Sequence, residues 1–293
     1  MDRLINFFKK YIFRKKLFLP ILPIILVYSA YSFLNKKSYA FNFLLKRDDS
    51  IYYYNRAIDA NSKNINAYLK LSKIYNNKKQ YTKSITLLQH AIDSKIKNSK
   101  IYTQLGISYY LNEQPYLAEK TLKLSMSINS NQYLSYYYLA KINQSFLRYH
   151  KSIIYYRASI KRKHNFANAY IGLSNVYKEV GSYYYSKKYL KKAIRLKPNS
   201  AYLHTQLASL YIDLREYKSA KKELLIARRK DKNYYKIYYE LGRLHYKKGH
   251  YAIAKNYLKQ ATKRNPKCSD AFYLLGKIYE IKSEKKSLLS ANL

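Results

Sequence analysis

The sequence has little of what a sheet-rich or disulfide-bonded protein needs. Its 293 residues include only six glycines and five prolines, so the turn-forming residues that hairpins require are scarce. The single cysteine, Cys268, excludes an internal disulfide and any metal site built from several cysteines. Because helix breakers are also few, long helices are free to form. The composition therefore predicts an all-α protein.

Acidic residues are scarce as well. The chain has 16 Asp and Glu against 57 Lys and Arg, which gives a net charge of +41. One explanation is mutational drift in an AT-rich genome, which enriches Lys, Asn, Ile, Tyr and Phe together. The other is attraction to a polyanion, either lipid headgroups, nucleic acid or an acidic protein. Composition leaves both explanations open.

The amino-terminal region contains an uncharged apolar run at residues 17–34. Eighteen such residues are at the short end of what a membrane-spanning helix needs, and we interpret the run as a transmembrane signal anchor. Six cations lie in the preceding segment 1–16 and only Lys36 and Lys37 lie just after the run. The positive-inside rule then predicts a cytoplasmic amino terminus and export of the remainder to the periplasm or a lumen. The alternatives are a cleaved signal peptide, an organelle-targeting segment with an organellar membrane location, and an anchor whose repeat domain stays in the cytosol.

A 34-residue period dominates the rest of the chain. Leucine recurs seven times at this spacing, at Leu71, Leu105, Leu139, Leu173, Leu207, Leu241 and Leu275. A small residue follows each leucine, a ring lies three residues before it, and in most cases another ring lies four residues after it. Ring, leucine and ring at these spacings form one apolar stripe of a helix. The small residue lets a second helix approach closely.

Each period also contains a second stripe. Small residues at Ser84, Ala118, Ser152, Ser186, Ala220 and Ala254 are followed four residues later by leucine or tyrosine, and three residues after that by another small residue. Gly181 and Gly249 mark turns between paired helices, and Pro198 and Pro266 follow the second helix of a pair. Neither helix can bury its stripe alone, so the pairs must stack on one another.

This pattern resembles the tetratricopeptide repeat (TPR), most completely in residues 167–200. The resemblance implies a right-handed α-solenoid of antiparallel helix pairs, here preceded by the transmembrane helix. We divide the chain into a degenerate first repeat at 35–64, a TPR array at 65–283 and a tail at 284–293. Within the array, six full repeats begin at residues 65, 99, 133, 167, 201 and 235, and a final first helix begins at residue 269.

The sequence contains no recognisable catalytic or cofactor-binding motif. No phosphate-binding glycine loop, metalloprotease motif or nucleophile elbow is present. Two of the six histidines, His204 and His245, occupy ring positions of the repeat, so we expect them to be core residues rather than ligands. We therefore predict a protein that is not an enzyme and has neither cofactor nor metal ion.

The resemblance implies that first helices line a concave groove. Groove positions combine rings and cations, and the candidate partner-binding residues are Lys73, Tyr110, Tyr137, Lys141, Tyr202, Tyr239, Arg243, Tyr246, Tyr273 and Lys277. A groove rich in tyrosine suits an extended or helical peptide, because rigid aromatic side chains bury area at a low cost in entropy. The alternative is that tyrosine, with 39 copies, is simply common in this chain.

Second helices, which the resemblance places on the convex face, carry most of the positive charge. In four consecutive repeats their net charges are +4 or +5, whereas the matching first helices lie between −1 and +3. The candidate basic residues are Lys187, Lys188, Lys191, Lys192, Lys221, Lys222, Arg228 and Arg229. They are either solvated side chains or a surface for an anionic lipid or acidic protein.

Together these features predict a membrane-anchored scaffold or adaptor. Its repeats would bind protein partners, in the assembly or maintenance of a membrane-associated complex. The alternative is a polyanion binder that uses the basic convex face for nucleic acid or anionic lipid. Export across a membrane would remove the chain from most nucleic acid, which makes that partner the less favoured one.

Overall fold

The computed structural model describes the backbone of residues 50–291 and the side chains of residues 50–283. The predicted anchor at 17–34 and the basic segment before it lie outside this range. Helices and their connections account for all of residues 50–291, with no strand, so the all-α prediction is confirmed there. None of the described helices has both the length and the apolar character required to span a bilayer.

The chain forms two compact units, Met1–Ile96 and Lys97–Leu293. Described helices of the first unit are α1 (50–60), α2 (Ile65–Asn77) and α3 (Tyr81–Asp93). The second unit contains α4 (Ser99–Leu111), α5 (Pro115–Ile128), α6 (Tyr133–Ser145), α7 (Tyr149–Arg162), α8 (Ala167–Glu179), α9 (Tyr183–Leu196), α10 (Ala201–Asp213), α11 (Tyr217–Lys230), α12 (Tyr235–Lys247), α13 (Tyr251–Arg264) and α14 (Ser269–Ala291). In the second unit consecutive helices pack as antiparallel pairs, and each pair packs on the next.

The periodic leucines form the core of these pairs. Leu71, Leu139 and Leu173 are fully buried in the first helices, and Leu88 and Leu258 are fully buried in the second helices. Complete burial of one such side chain contributes about 1.5–3 kcal/mol. Repetition of the same stripe in every unit therefore gives each helix pair its own share of the core.

Serine hydroxyls of the second helices donate hydrogen bonds to backbone carbonyls of the first helices with which they pair. Ser84 Oγ donates to the carbonyl of Ser72 at 3.2 Å, and Ser152 Oγ donates to the carbonyl of Ala140 at 2.8 Å. Because these side chains are small, the two backbones come close enough for a direct bond. The bonds also satisfy hydroxyls that have no access to water.

A left-handed residue lies two positions after each of six first helices. Two of these residues are Gly181 and Gly249, with φ of 72° and 75°, but the other four are Lys79, Glu113, Leu147 and Arg215, with φ of 58–59°. In each turn the next amide donates back to the last turn of the helix, as a helix-ending Schellman motif requires. The non-glycine residues thus adopt a backbone conformation that costs about 1–3 kcal/mol.

First helices of neighbouring repeats approach one another unevenly in the second unit. Contacts between Cα atoms join α4 with α6, α6 with α8, α10 with α12, and α12 with α14. By contrast, no Cα atom of α8 lies within 8 Å of a Cα atom of α10. The surface formed by the first helices is therefore wider between α8 and α10 than elsewhere in this unit.

Candidate functional site: the face formed by the first helices

Side chains of α4 and α6 form an aromatic pocket around a single cation. We call Tyr110, Tyr137, Tyr138 and Lys141 the phenol cluster. The Lys141 Nζ lies 4.9 Å from the Tyr110 ring centroid, 5.7 Å from that of Tyr138 and 5.9 Å from that of Tyr137. Tyr138 meets Tyr110 and Tyr137 edge to face at 5.4 and 5.2 Å. These distances are those of cation–π contacts and edge-to-face ring pairs.

The phenols of this cluster are close enough to influence one another. Burial, followed by the neighbouring phenols of Tyr138, Tyr110 and Tyr202, raises the pKa of Tyr137 to about 12. Burial and then Tyr110 also raise the pKa of Tyr138. Tyr137 lies on α6 and Tyr202 on α10, so the aromatic surface extends across α8. Because their pKa values are raised, the Tyr137 and Tyr138 hydroxyls are neutral at physiological pH and able to donate hydrogen bonds to a ligand.

Tyr156 of α7 forms the floor of the phenol cluster. Its ring centroid lies 5.9 Å from that of Tyr137, and its hydroxyl donates to Gln144 Oε1 at 3.0 Å. The five other second helices have leucine at this position of the repeat. The larger ring fits because α8 has glycine opposite it, and a Cβ at Gly172 would overlap the Tyr156 ring.

An ionic ladder follows on α8, α10 and α12. Lys178 Nζ lies 3.0 Å from Asp213 Oδ2, and Arg243 Nη1 donates to Asp213 Oδ1 at 3.0 Å. Arg243 Nε donates to Glu240 Oε2 at 2.8 Å, and Nη2 donates to the carbonyl of Ser209 at 2.9 Å. These five residues, which we call the ladder, join three successive repeats. Lys178 and Asp213 bridge the wide interval between α8 and α10.

The ladder ends in a buried carboxylate. Glu240 is only 7% exposed, and burial raises its pKa, while the Arg243 guanidinium and a hydrogen bond with Ser209 act in the opposite direction. A buried carboxylate is tolerated when it is paired and hydrogen-bonded. Arg243, selected from the sequence as a partner-binding residue, thus already binds three groups of its own chain.

The remaining rings of this face lie on α12 and α14. Burial raises the pKa of Tyr239 to about 12. Tyr246 packs edge to face on Tyr251 at 5.7 Å, and Lys277 Nζ lies 5.1 Å from the exposed Tyr273 ring. In the first unit Lys73 is exposed on α2. We define the first-helix face of the second unit as the phenol cluster, Tyr202, the ladder, Tyr239, Tyr246, Tyr273 and Lys277.

A cleft of about 500 Å³ opens beside the ladder, where the first and second helices meet. Its walls are Tyr183, Ile212, Asp213, Arg215, Tyr217 and Lys247. Asp213 lies in both the cleft wall and the ladder. Both of its carboxylate oxygens already accept from cations of the ladder.

Family models described as tetratricopeptide repeat match residues 65–95, 167–200 and 239–286. The chain contains tetratricopeptide repeats. Such repeats generally mediate protein–protein interactions and scaffolding, they bind protein or peptide partners, and the fold is typically non-catalytic. A search of curated proteins finds none that matches this sequence.

Solved TPR structures share the fold. PilF of Pseudomonas aeruginosa superposes with a TM-score of 0.63 at 15% identity, covering 79% of this chain and 99% of its own. The Cut9 and Hcn1 hetero-tetramer of the APC/C gives 0.66 at 12% identity, covering 79% of this chain and 46% of the other. YrrB, described as a TPR protein with an unusual peptide-binding site, gives 0.53 at 14% identity, covering 64% and 96%. At these identities the likeness shows the fold alone.

The predicted basic residues of the second helices divide into paired and unpaired cations. Lys187 is half-buried, with its Nζ 2.9 Å from Glu216 Oε1 in the next TPR unit. Lys192 lies 6.0 and 5.8 Å from the rings of Tyr170 and Tyr189. The other predicted basic residues, Lys188, Lys191, Lys221, Lys222, Arg228 and Arg229, are exposed.

Both histidines expected in the core have structural neighbours. His204 is 7% exposed, and its Nδ1 lies 2.7 Å from Glu223 Oε2. His245 is half-buried and stacks on Tyr257 at 5.6 Å. No group of three His, Cys, Asp or Glu that could hold a metal ion occurs among the described residues of the array.

Three features of this face escaped the sequence analysis. Tyr138 completes the phenol cluster, although it was not among the predicted partner-binding residues. Glu240 occupies the same position of the repeat as Tyr138, yet its side chain is buried beneath Arg243. Tyr156 lies where the other second helices have leucine, and Gly172 is the only glycine at its position of the repeat. These two unusual residues together were the signal that could have revealed the floor of the cluster.

Proposed function

We propose that the protein is a membrane-anchored scaffold that captures peptide segments of partner proteins on its first-helix face. In this role it serves the assembly or maintenance of a membrane-associated complex. The family supports the general activity, since TPR proteins bind protein or peptide partners. The phenol cluster supports the particular site, and the sequence of the amino-terminal region supports the membrane location.

Lys141 is the observation on which the proposed site depends. Three rings surround its ammonium group, yet no carboxylate pairs with it among the residues whose side chains are described. A cation held among rings has lost part of its hydration and gains from an anionic partner. Flat ring faces beside it favour apolar side chains. The matching ligand is therefore a peptide that carries an Asp or Glu between apolar residues.

The ladder supplies no equivalent site. Lys178 and Arg243 are bound to Asp213 and Glu240, so a peptide carboxylate would have to displace an existing ion pair. The wide interval between α8 and α10 lies next to the phenol cluster and has Tyr202 on its far side. A peptide that binds at Lys141 can therefore continue toward Tyr202 over α8, whose Gly172 presents no side chain there.

The test uses the full chain and immobilised short peptides with one Asp or Glu between Leu or Phe residues. Versions with Asn or Gln in place of the carboxylate are the control peptides. We expect acidic peptides to bind more tightly than amide versions, and Lys141→Glu to weaken their binding by about tenfold, since it reverses the charge at the site. Lys192→Glu is the matched control, because Lys192 also lies over two rings but on a second helix.

Equal binding of acidic and amide peptides to the wild-type chain would contradict the proposed ligand chemistry. Loss of binding in Lys192→Glu with normal binding in Lys141→Glu would move the site to the second helices. Thermal unfolding of each variant shows whether the fold is retained. Neither lysine bonds to a carboxylate among the described residues, so we expect unchanged melting temperatures for both.

The proposed membrane anchor is supported by residues 17–34, with six cations before this run and two just after it. We expect a cytoplasmic amino terminus and a repeat array on the opposite side of the membrane. Protease is added to sealed vesicles of known orientation, and the array is detected by an antibody. Digestion of the array from the cytoplasmic side alone would contradict export.

Six exposed cations favour a second candidate function, which is binding of anionic lipid through the second helices. Lys188, Lys191, Lys221 and Lys222 extend into solvent on two adjacent second helices. Their joint replacement by Gln is expected to reduce binding to vesicles that contain phosphatidylserine, with the largest difference at low salt. Binding that is unaffected by both salt and the four replacements would leave these lysines as solvated side chains.

A further inference from the structure

The last described helix, α14, keeps the sequence frame of a first helix, and among residues 50–291 no second helix follows and packs on it. First helices α2, α4, α6, α8, α10 and α12 each span 13 residues before the chain turns. Helix α14 spans 23 residues and continues through the place where the others turn. Even so, Phe272, Leu275, Gly276 and Tyr279 repeat the ring, leucine, small residue and ring of the earlier repeats.

The glycine that follows the periodic leucine is contacted by a second helix in two earlier repeats, but the corresponding Gly276 of α14 is not. A Cβ on Gly106 would lie 2.6 Å from Leu122 Cγ, and one on Gly242 would lie 2.6 Å from Leu258 Cγ. Those leucines belong to the second helices of the same repeats. A Cβ on Gly276 would have no atom of the described residues within 4 Å. Space for the leucine of a packed helix is therefore present at Gly276 and unfilled.

Ring residues on either side of Gly276 are exposed. Phe272 and Tyr279 are 52% and 48% exposed, whereas Tyr238 and Tyr211, at the corresponding positions of earlier repeats, are 6% and 7% exposed. A helix that merely closes a repeat array presents a polar outer face to water. The outer face of α14 instead presents the apolar stripe with which first helices bind second helices.

The charges around this face indicate what would cover it. At an earlier junction, Lys187 pairs with Glu216, which immediately precedes the second helix of the next repeat. Lys255 is the corresponding residue beside α14, and its Nζ lies 4.8 Å from the Tyr279 ring centroid. Lys255, Lys259 and Lys282 lower the pKa of the Tyr279 hydroxyl. None of these three lysines pairs with a carboxylate among residues 50–283.

We propose that the outer face of α14 docks an amphipathic helix from a partner protein, with an acidic residue at its amino-terminal end. Its buried stripe has a leucine that enters the space at Gly276, with small residues four positions before and three positions after it. This is the stripe of α13, where Leu258 lies between Ala254 and Ala261. A second copy of the chain is the less suitable occupant, because its net charge of +41 opposes approach to a lysine-rich face.

The probe is a fluorescein-labelled peptide that copies residues 216–230 with its lysines and arginines replaced by glutamine. It keeps Glu216, Ala220, Leu224 and Ala227, which are the acidic residue and the stripe of a second helix. We expect a saturable rise in fluorescence anisotropy on titration with the full chain. A peptide with Leu224→Glu is the control and is expected not to bind, because a carboxylate cannot be buried at Gly276.

Variants of the protein assign the peptide to α14. Gly276→Leu fills the open space and replaces a glycine inside a helix, so we expect an unchanged or raised melting temperature and affinity reduced by about tenfold or more. Lys255→Gln should weaken binding by about threefold, and this difference should shrink at high salt. Lys141→Glu should leave binding of this peptide unchanged, which separates the surface from the phenol cluster.

Four results would overturn the proposal. They are no saturable binding to the wild-type chain, equal binding of the Leu224→Glu peptide, normal binding to Gly276→Leu, and a lowered melting temperature of Gly276→Leu. Sedimentation provides a fifth, since a wild-type dimer that Gly276→Leu converts to monomer would assign the face to a second copy. The proposed peptide-binding function of the first-helix face would be unaffected by any of these results.

Discussion

The cations in the two parts of the first-helix face, the phenol cluster and the ladder, differ in whether a carboxylate pairs with them. In the phenol cluster, Lys141 is enclosed by three rings and has no carboxylate partner among the described side chains. In the ladder, Lys178 and Arg243 are matched by Asp213 and Glu240. A matched ion pair stabilises its own fold and offers little to a ligand. An unmatched cation beside ring faces contributes less to folding and more to recognition.

This difference follows the spacing of the helices. Arg243 links α10 and α12 through Asp213, and Lys178 spans the interval where α8 and α10 are farthest apart. Of the ladder pairs, only Lys178 with Asp213 therefore lies where contact between first helices is missing. Between α4 and α6 the helices are in contact, and the rings alone fill the surface. Three changes test this comparison.

The largest effect is expected from Arg243→Ala. This change leaves Glu240 buried without its guanidinium, and loss of one partner of a buried pair costs about 3–5 kcal/mol. Burial raises the pKa of Glu240, so the folded state binds its proton more tightly than the unfolded chain. Stability of the variant should therefore be greatest below the ordinary pKa of Glu and fall as pH rises through the raised pKa. Urea unfolding at several pH values measures both effects.

Lys178→Ala is the control for that experiment. It removes the exposed end of the ladder, where an ion pair contributes at most about 1 kcal/mol. Equal losses in Lys178→Ala and Arg243→Ala would show that the buried carboxylate does not determine the cost. A loss in Arg243→Ala that does not change with pH would exclude Glu240 as the cause.

An intermediate effect is expected from Gly172→Ala in the phenol cluster. Its new methyl group would overlap the Tyr156 ring, and overpacking of this kind costs about 1–3 kcal/mol. In a Tyr156→Leu background the same change should cost less, because leucine is the residue that fills this position in the other repeats. A double-mutant cycle of unfolding free energies measures the coupling. Additive losses of unfolding free energy would mean that the Tyr156 ring does not require a glycine at position 172.

The smallest effect is expected from the turns that follow the two parts of the face. Leu147 follows α6 with φ of 58° and an exposed side chain, whereas Gly181 follows α8 with φ of 72°. Leu147→Gly relieves a strained backbone, although glycine gains entropy in the unfolded chain, so we expect stabilisation of about 0.5–1 kcal/mol. Gly181→Leu should destabilise by a similar or larger amount. If both changes have the same sign, the left-handed turn is not the dominant factor.

Much of the architecture could be predicted because it depends on local periodicity. Leucine, ring and small residue at helical spacings specify which side of each helix is buried, and Leu71 and Leu173 are indeed fully buried. The turn glycines were recognised for the same reason. Leu147 and Arg215 were not, because leucine and arginine carry no signal for a left-handed backbone. In those turns the packing of two helices forces the conformation that the residue itself disfavours.

The candidate site was less predictable, because its properties depend on distances between repeats. Lys141 and Arg243 occupy the same position of the repeat, and in the sequence both are simply cations on a first helix. One lies among phenols and the other is bound to two carboxylates and Ser209. No pattern within either helix distinguishes them, since the neighbouring first helices supply the partners.

The sequence by itself determined the 34-residue frame, the helices, the buried stripe and the surplus of positive charge. Each of these follows from residue type and from the fixed geometry of a single helix. Only the tertiary structure decided which cations are paired, which rings enclose Lys141, and that Gly276 is open while Gly242 is filled. These outcomes depend on how closely one helix approaches the next, and that separation is set by side chains distant in the sequence.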